Sequence, residues 1–184
     1  MMVLVDHQIR AGIENEAFEI TPYNPDQVNP NSYDLRLGDE FKYYSGYMAT
    51  PIDPYIERDV KLGLTSRTGR YIIKKHEYIL GSTLESISLP DNLCAELNGK
   101  SSLARLGVQI HQTGGWIDCG FSGTITLEIF NSGPRPVVLY PGMLIGQLVF
   151  HPTEPAEEPY NRRGSSKYNG QQGPVESRYY QNRK

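Results

Sequence analysis

The 184-residue chain has little cysteine: Cys94 and Cys119 are its only two, and they form no CxxC pair. A disulfide-stapled secreted scaffold and a four-cysteine zinc site are therefore both excluded. Long hydrophobic runs are also missing. The first apolar run, Met1 to Val5, is too short for the core of a secretory leader, and no run approaches the ~20 residues that cross a bilayer. The expectation is a cytoplasmic protein with no membrane partner. Charge of one sign is scarce as well. The formal net charge is −3, so no nucleic-acid partner is expected for the molecule as a whole. A GxxxxGK[ST] phosphate loop is absent, and no internal repeat is present.

What is abundant is punctuation. Eighteen glycines and 13 prolines separate short alternating runs, which predicts one β-rich domain. Asp6 is the expected N-cap of a helix over 6–16, in which Ile9 and Ile13 form an apolar i, i+4 pair. Tyr33, Leu35 and Leu37 alternate with Asp34 and Arg36, giving a strand that Gly38 ends. Residues 42–70 predict a pair of strands around an exposed loop. Two strands, 71–80 and 82–89, are expected to break at Gly81, with further strands at 93–97, 124–130, 136–139 and 143–150. His76 lies in a charged run and is expected in solvent. TEPAEEP at 153–159 reads as a linker. The tail from Tyr160 holds six Lys/Arg and one acid, a net +5 that leaves −8 on the remainder.

The chain is organised around residues 99–131. GKSSLARLG predicts a helical turn that sets Ser101 and Arg105 on one face, with Lys100 and Ser102 at its start. Helix starts bind anions, and they are also simply capped, so phosphate binding and a plain cap both fit GKSS. TGGWIDCGFSG is a glycine-rich turn ending in Asp118. TITLEIF is an alternating strand: Ile125, Leu127 and Ile129 face one way, and Thr124, Thr126 and Glu128 the other. A solvated edge residue would explain Glu128 on its own, and turn hydrogen bonds would explain Asp118. Their convergence with a Ser/Arg pair and Gly114-Gly115 within about 30 positions points instead to a ligand site that approaches backbone closely.

These stretches, with PNSYDLRLG, YPGMLIGQLVF and PYNRRGSSKYNGQQG, resemble the deoxycytidine triphosphate (dCTP) deaminase family, which is related to the trimeric deoxyuridine triphosphatases (dUTPases). The resemblance implies an all-β, distorted jelly-roll or barrel subunit with short helices at the N-terminus and near 100–106. It further implies one domain over 1–152, a linker and C-terminal lid over 153–184, and a homotrimer with sites between subunits. The zinc route to deamination, marked by HxE and PCxxC, does not match the histidines and cysteines here. Without zinc, one carboxylate can shuttle both protons if burial lifts its pKa from an ordinary ~4.3 toward neutrality.

The resemblance assigns that catalytic role to Glu128, with Arg105 orienting it, Ser101 positioning water or the base's amino group, and Asp118 serving the sugar and phosphates. Lys100, Ser102, Thr126, Leu127, Gln147, Tyr160, Lys167 and Gln171 complete the implied substrate contacts. Mg²⁺ is the implied cofactor, held mainly by the triphosphate rather than by protein ligands. The small-residue turn Gly114-Gly115-Trp116 resembles members that carry dCTP through to dUMP. The rivals are a deaminase that stops at dUTP and a non-catalytic nucleotide-binding regulator. dUTP and dTTP are further implied ligands, the latter as an inhibitor.

Overall fold

The computed structural model describes residues 2–43, 51–61 and 64–182. In chain order the elements are α1 (Asp6–Glu14), β1 (Glu19–Thr21), β2 (Val28–Asn29), β3 (Ser32–Arg36), β4 (Glu40–Tyr43), α2 (Glu57–Val60), β5 (Leu64–Arg67), β6 (Tyr71–Ile73) and β7 (Tyr78–Ser88). There follow β8 (Leu93–Gly99), α3 (Ser101–Ala104), β9 (Val108–Gln109), β10 (Trp116–Ile117), β11 (Ser122–Asn131), β12 (Val137–Leu139) and β13 (Leu144–Pro152). Strands dominate, as expected, and every pairing between named strands is antiparallel. One sheet runs β5-β4-β7-β11-β9 with β1 also on β7; the other runs β10-β8-β13-β3-β2; β12 and β6 form a small third.

The core is built by the period-2 alternation. Ile79 and Ile87 of β7 and Leu127 and Ile129 of β11 supply one wall; Leu35, Leu97, Leu148 and Phe150 supply the other. Each of these is at most 1% exposed, so each contributes about 1.5–3 kcal/mol relative to an exposed side chain.

Two local expectations change. β7 runs through Gly81 without a break. The glycine is there for space: a Cβ would lie 3.0 Å from Ile129 Cδ1 across the sheet. Val5, not Asp6, is the N-cap of α1, and its N–H donates to Gln8 Oε1 at 3.1 Å. Asp6 opens the first turn instead, where the His7 N–H, and then Arg10, hold its carboxyl below the ordinary carboxylate range. Within 42–70, β4 and β5 pair as expected and α2 intervenes, while 44–50 and 62–63 lie outside the described residues. His76 is exposed, as anticipated.

Candidate active site

Glu128 leaves the core face of β11 half-buried, between buried Leu127 and Ile129. The loop after β9 folds back over it. Gln112 N–H donates to Glu128 Oε2 at 2.9 Å, and its side-chain amide donates to the Glu128 carbonyl at 3.3 Å. The Glu128 N–H donates to the Ile110 carbonyl at 2.9 Å. A backbone donor to a carboxylate is a strong, directional bond, so one oxygen is held and the other is left to the cavity side. Gly114 Cα lies close by: a Cβ there would stand 3.8 Å from Glu128 Oε1, ordinary contact. Gly115 is the tighter position. A Cβ on it would meet the Leu97 carbonyl at 3.0 Å and His111 Cε1 at 3.3 Å, and its own carbonyl accepts from Leu97 N–H at 2.7 Å.

β10 pairs with β8, Ile117 opposite Ala95, and so delivers Asp118 to the surface beside the cavity. Trp116 stacks on His151 at 5.6 Å. His151 is buried with neither ring nitrogen hydrogen-bonded, its Nε2 3.6 Å from a Glu96 carboxylate oxygen. Beneath the turn, burial pushes the Cys94 thiol up to about 11, with neighbouring Cys119 adding to the shift.

The tail closes over this face of β11. Tyr160 N–H donates to the Cys119 carbonyl at 2.7 Å, and the Tyr160 hydroxyl accepts from the N–H groups of Lys167 and Tyr168. Gln171 bridges to Gly123, whose φ of +131° and close approach to Gln171 admit no side chain. Gln171 Nε2 donates to the Thr124 carbonyl at 2.8 Å, while its Oε1 is buried without a partner. Val175 N–H donates to Thr126 Oγ1 at 3.1 Å. The result is a cavity of about 400 Å³ whose walls include Gly114, Asp118, Thr126, Glu128, Tyr160 and Gln171. That volume lies in the ~300–1,000 Å³ range of small-molecule sites.

The other expected residues are elsewhere. Ser101, Ser102 and Arg105 are exposed on α3 and its C-cap, outside the cavity walls; Arg105 N–H donates to the Ser101 carbonyl at 3.1 Å, so the two share one turn. Lys100 Nζ is committed to both oxygens of buried Asp34, at 2.7 and 2.8 Å. Gln147 Oε1 accepts from Ser32 Oγ at 3.1 Å, on the sheet that carries Asp34. Lys167 Nζ donates to the Asn182 side chain. Leu127 is wholly buried and can offer a ligand only its backbone. Two contributors were missed in the sequence, Gln112 and Asp34. A glutamine in a loop carries no signal, whereas Asp34 alternates with apolar residues inside PNSYDLRLG and could have been flagged.

Residues 3–153 match the family model described as dCTP deaminase-like. The chain belongs to that family. A Methanospirillum hungatei protein named "dCTP deaminase, dUMP-forming" is 49% identical over 188 residues, covering 100% of this chain and 99% of its own. A Mycobacterium tuberculosis protein of the same name is 45% identical over 185 residues, covering 98% of this chain and 97% of its own. The crystal structure of 2′-deoxycytidine 5′-triphosphate deaminase from Agrobacterium tumefaciens superposes with a TM-score of 0.62 at 27% identity. That match covers 80% of this chain and 47% of the other.

The cavity wall thus carries a clamped carboxylate, Glu128, and a second acid, Asp118. Among the described residues no three His, Cys, Asp or Glu side chains gather as a metal-binding set. A divalent ion carried in by a triphosphate would need no such set.

Proposed function

We propose that the chain deaminates dCTP and cleaves the triphosphate, giving dUMP, ammonia and pyrophosphate. The observation that carries this reading is the Glu128 carboxylate, held by the Gln112 N–H beside the Asp118 turn, in a chain 45–49% identical over nearly its full length to relatives named for that activity. Glu128 removes a proton from water as the water's oxygen attacks C4 of cytosine. The same carboxyl protonates N3, then takes the proton of the new C4 hydroxyl and delivers it to the amine as the C4 carbonyl forms and the C4–N bond breaks, so water enters, ammonia leaves and Glu128 is regenerated. Gln171, a wall of the cavity, contributes to substrate contact, and backbone groups at Thr126 and Leu127 suit the edge of the cytosine base.

Asp118 orients a second water toward the α-phosphorus; the α–β bridging bond breaks and pyrophosphate carries away the electron pair. Mg²⁺ would arrive with the triphosphate and supply charge neutralisation there, with Asp118 an acid of the cavity wall. Ser101, Ser102 and Arg105, exposed and outside the cavity walls, meet the site of a neighbouring subunit in a homotrimer. Arg105 orients the Glu128 carboxylate there, and Lys100, tied to Asp34, sets the start of that turn. Gln147 supports the same sheet, and Tyr160 and Lys167 shape the lid. dUTP occupies the site as intermediate, and dTTP, with the same triphosphate, competes for it in the cytoplasm.

A dCTP time course with Mg²⁺ tests the reading. Ammonia, dUMP and pyrophosphate should rise together from the first turnover. Stoichiometric dUTP would overturn the phosphate step, and absence of ammonia would overturn the whole assignment.

A further inference from the structure

The lid grips the barrel in two different ways. From Tyr160 to Gln171 the grip is mainly on backbone: Gly170 N–H to Ser122 carbonyl at 2.7 Å, Thr124 N–H to Gln171 carbonyl at 3.0 Å, and the Tyr160–Cys119 bond. From Glu176 onward the grip is made by side chains, on residues that the sequence left without a role. Glu176 Oε2 lies 2.9 Å from Lys42 Nζ, the two side chains only 22% and 19% exposed. The Tyr179 ring meets Tyr55 edge-on at 5.3 Å. Glu57 pairs with Lys61 at 3.0 Å, which together with the nearby Tyr180 hydroxyl holds its carboxyl below the ordinary carboxylate range.

The place of this second grip matters. Lys42 stands opposite Leu80 in the β4·β7 pairing, and Leu80 is a wall of the cavity. Val175 and Ser177, on either side of Glu176, are walls too. Val175 is the residue whose N–H holds Thr126. Arg178 ties the turn together, its N–H donating to the Tyr168 hydroxyl at 2.9 Å and its guanidinium lying over the Tyr168 ring. Release of Glu176 therefore loosens the stretch of lid that faces the cavity. A half-hidden ion pair is screened less by salt than an open one, so it can bias that equilibrium where a surface pair would not.

We propose that Lys42, Tyr55 and Glu57 form a clasp for the C-terminal segment, and that they are positioning residues that favour nucleotide binding by keeping the lid over the cavity. The proposal rests on the reading of the cavity as a nucleotide site. It gives Lys42, Tyr55 and Glu57 a specific task.

The test uses the full chain with Lys42→Glu, Glu176→Lys and the double exchange. Chymotrypsin cleavage after Tyr179, whose ring packs on Tyr55, reads attachment of the clasped segment directly, without reference to any substrate. Each single variant should be nicked about threefold to tenfold faster, with KM for dCTP rising by a similar factor and kcat changing less. The exchange should restore both. Tyr55→Ala should shift nicking in the same direction. Unchanged nicking in both charge variants, or an exchange that restores nothing, overturns the clasp. If the chain releases no ammonia from dCTP yet shows the nicking pattern and its rescue, the clasp stands and the activity assignment falls.

Discussion

The two clusters of expected site residues differ in how far one chain completes them. Around Glu128 the polar groups are organised within the chain: Gln112 clamps the carboxylate, Val175 holds Thr126, and the Gln171 amide is anchored at one end. On α3 the opposite holds. Ser101, Ser102 and Arg105 are exposed, and among the described residues their side chains make no hydrogen bond or ion pair. Only the base of that turn is fixed, by Lys100 on Asp34. Side chains kept in water pay no desolvation penalty while they wait. The contrast teaches that this turn is built to be presented outward, whereas the cavity is built to be covered by its own tail.

The largest effect should come from separating the halves. Glu128→Gln and Arg105→Ala should each lower deamination by about 10²–10⁴-fold, with Glu128→Gln still binding dCTP. If each site joins two subunits, co-assembling the two dead variants should rescue roughly a quarter of sites. Ammonia assays on the mixed assemblies measure this; no recovery would show that one chain supplies both halves.

A smaller effect is expected from the anchor of the exposed half. Asp34→Asn leaves Lys100 without its charged partner and should cost about 1–3 kcal/mol in urea unfolding. Activity should fall through the α3 half alone. Adding Lys100→Met should recover part of the lost stability, since the stranded charge is removed. Equal losses in the single and double variants would break the link between anchor and turn.

The smallest effects lie in the cavity's glycine pair and sharpen its geometry. Gly114→Ala places a methyl at ordinary contact from Glu128 and should change turnover by less than about twofold. Gly115→Ala meets backbone at 3.0 Å and should be the more damaging, by about 1–3 kcal/mol of overpacking. Thermal melts and kcat of the two variants provide the check, and the reverse ranking would show that the first glycine, not the second, is under constraint.

Legibility followed the range of the cause. Glu128 was readable because a pleated strand alternates, and TITLEIF states that alternation within seven residues. The helical turn at Ser101–Arg105 was readable because its bonds are local. Gly81 was misread because its reason is a methyl group of Ile129, which arrives from another strand. Asp6 was misread because both it and Gln8 can serve a helix start, and only the path of Val5 chose between them.

The sequence by itself determined the all-β class, the outward place of Glu128, the turn that carries Asp118 and, through its motifs, the family. These depend on steric periods and short-range bonds that a few neighbouring residues set. The tertiary structure alone decided that Gln112 clamps Glu128, that Lys100 finds Asp34 66 residues away, that Glu176 reaches Lys42, and that the α3 residues stand apart from the cavity. Each of those depends on which strands pair and in what register, a balance of burial over the whole chain that no single stretch encodes.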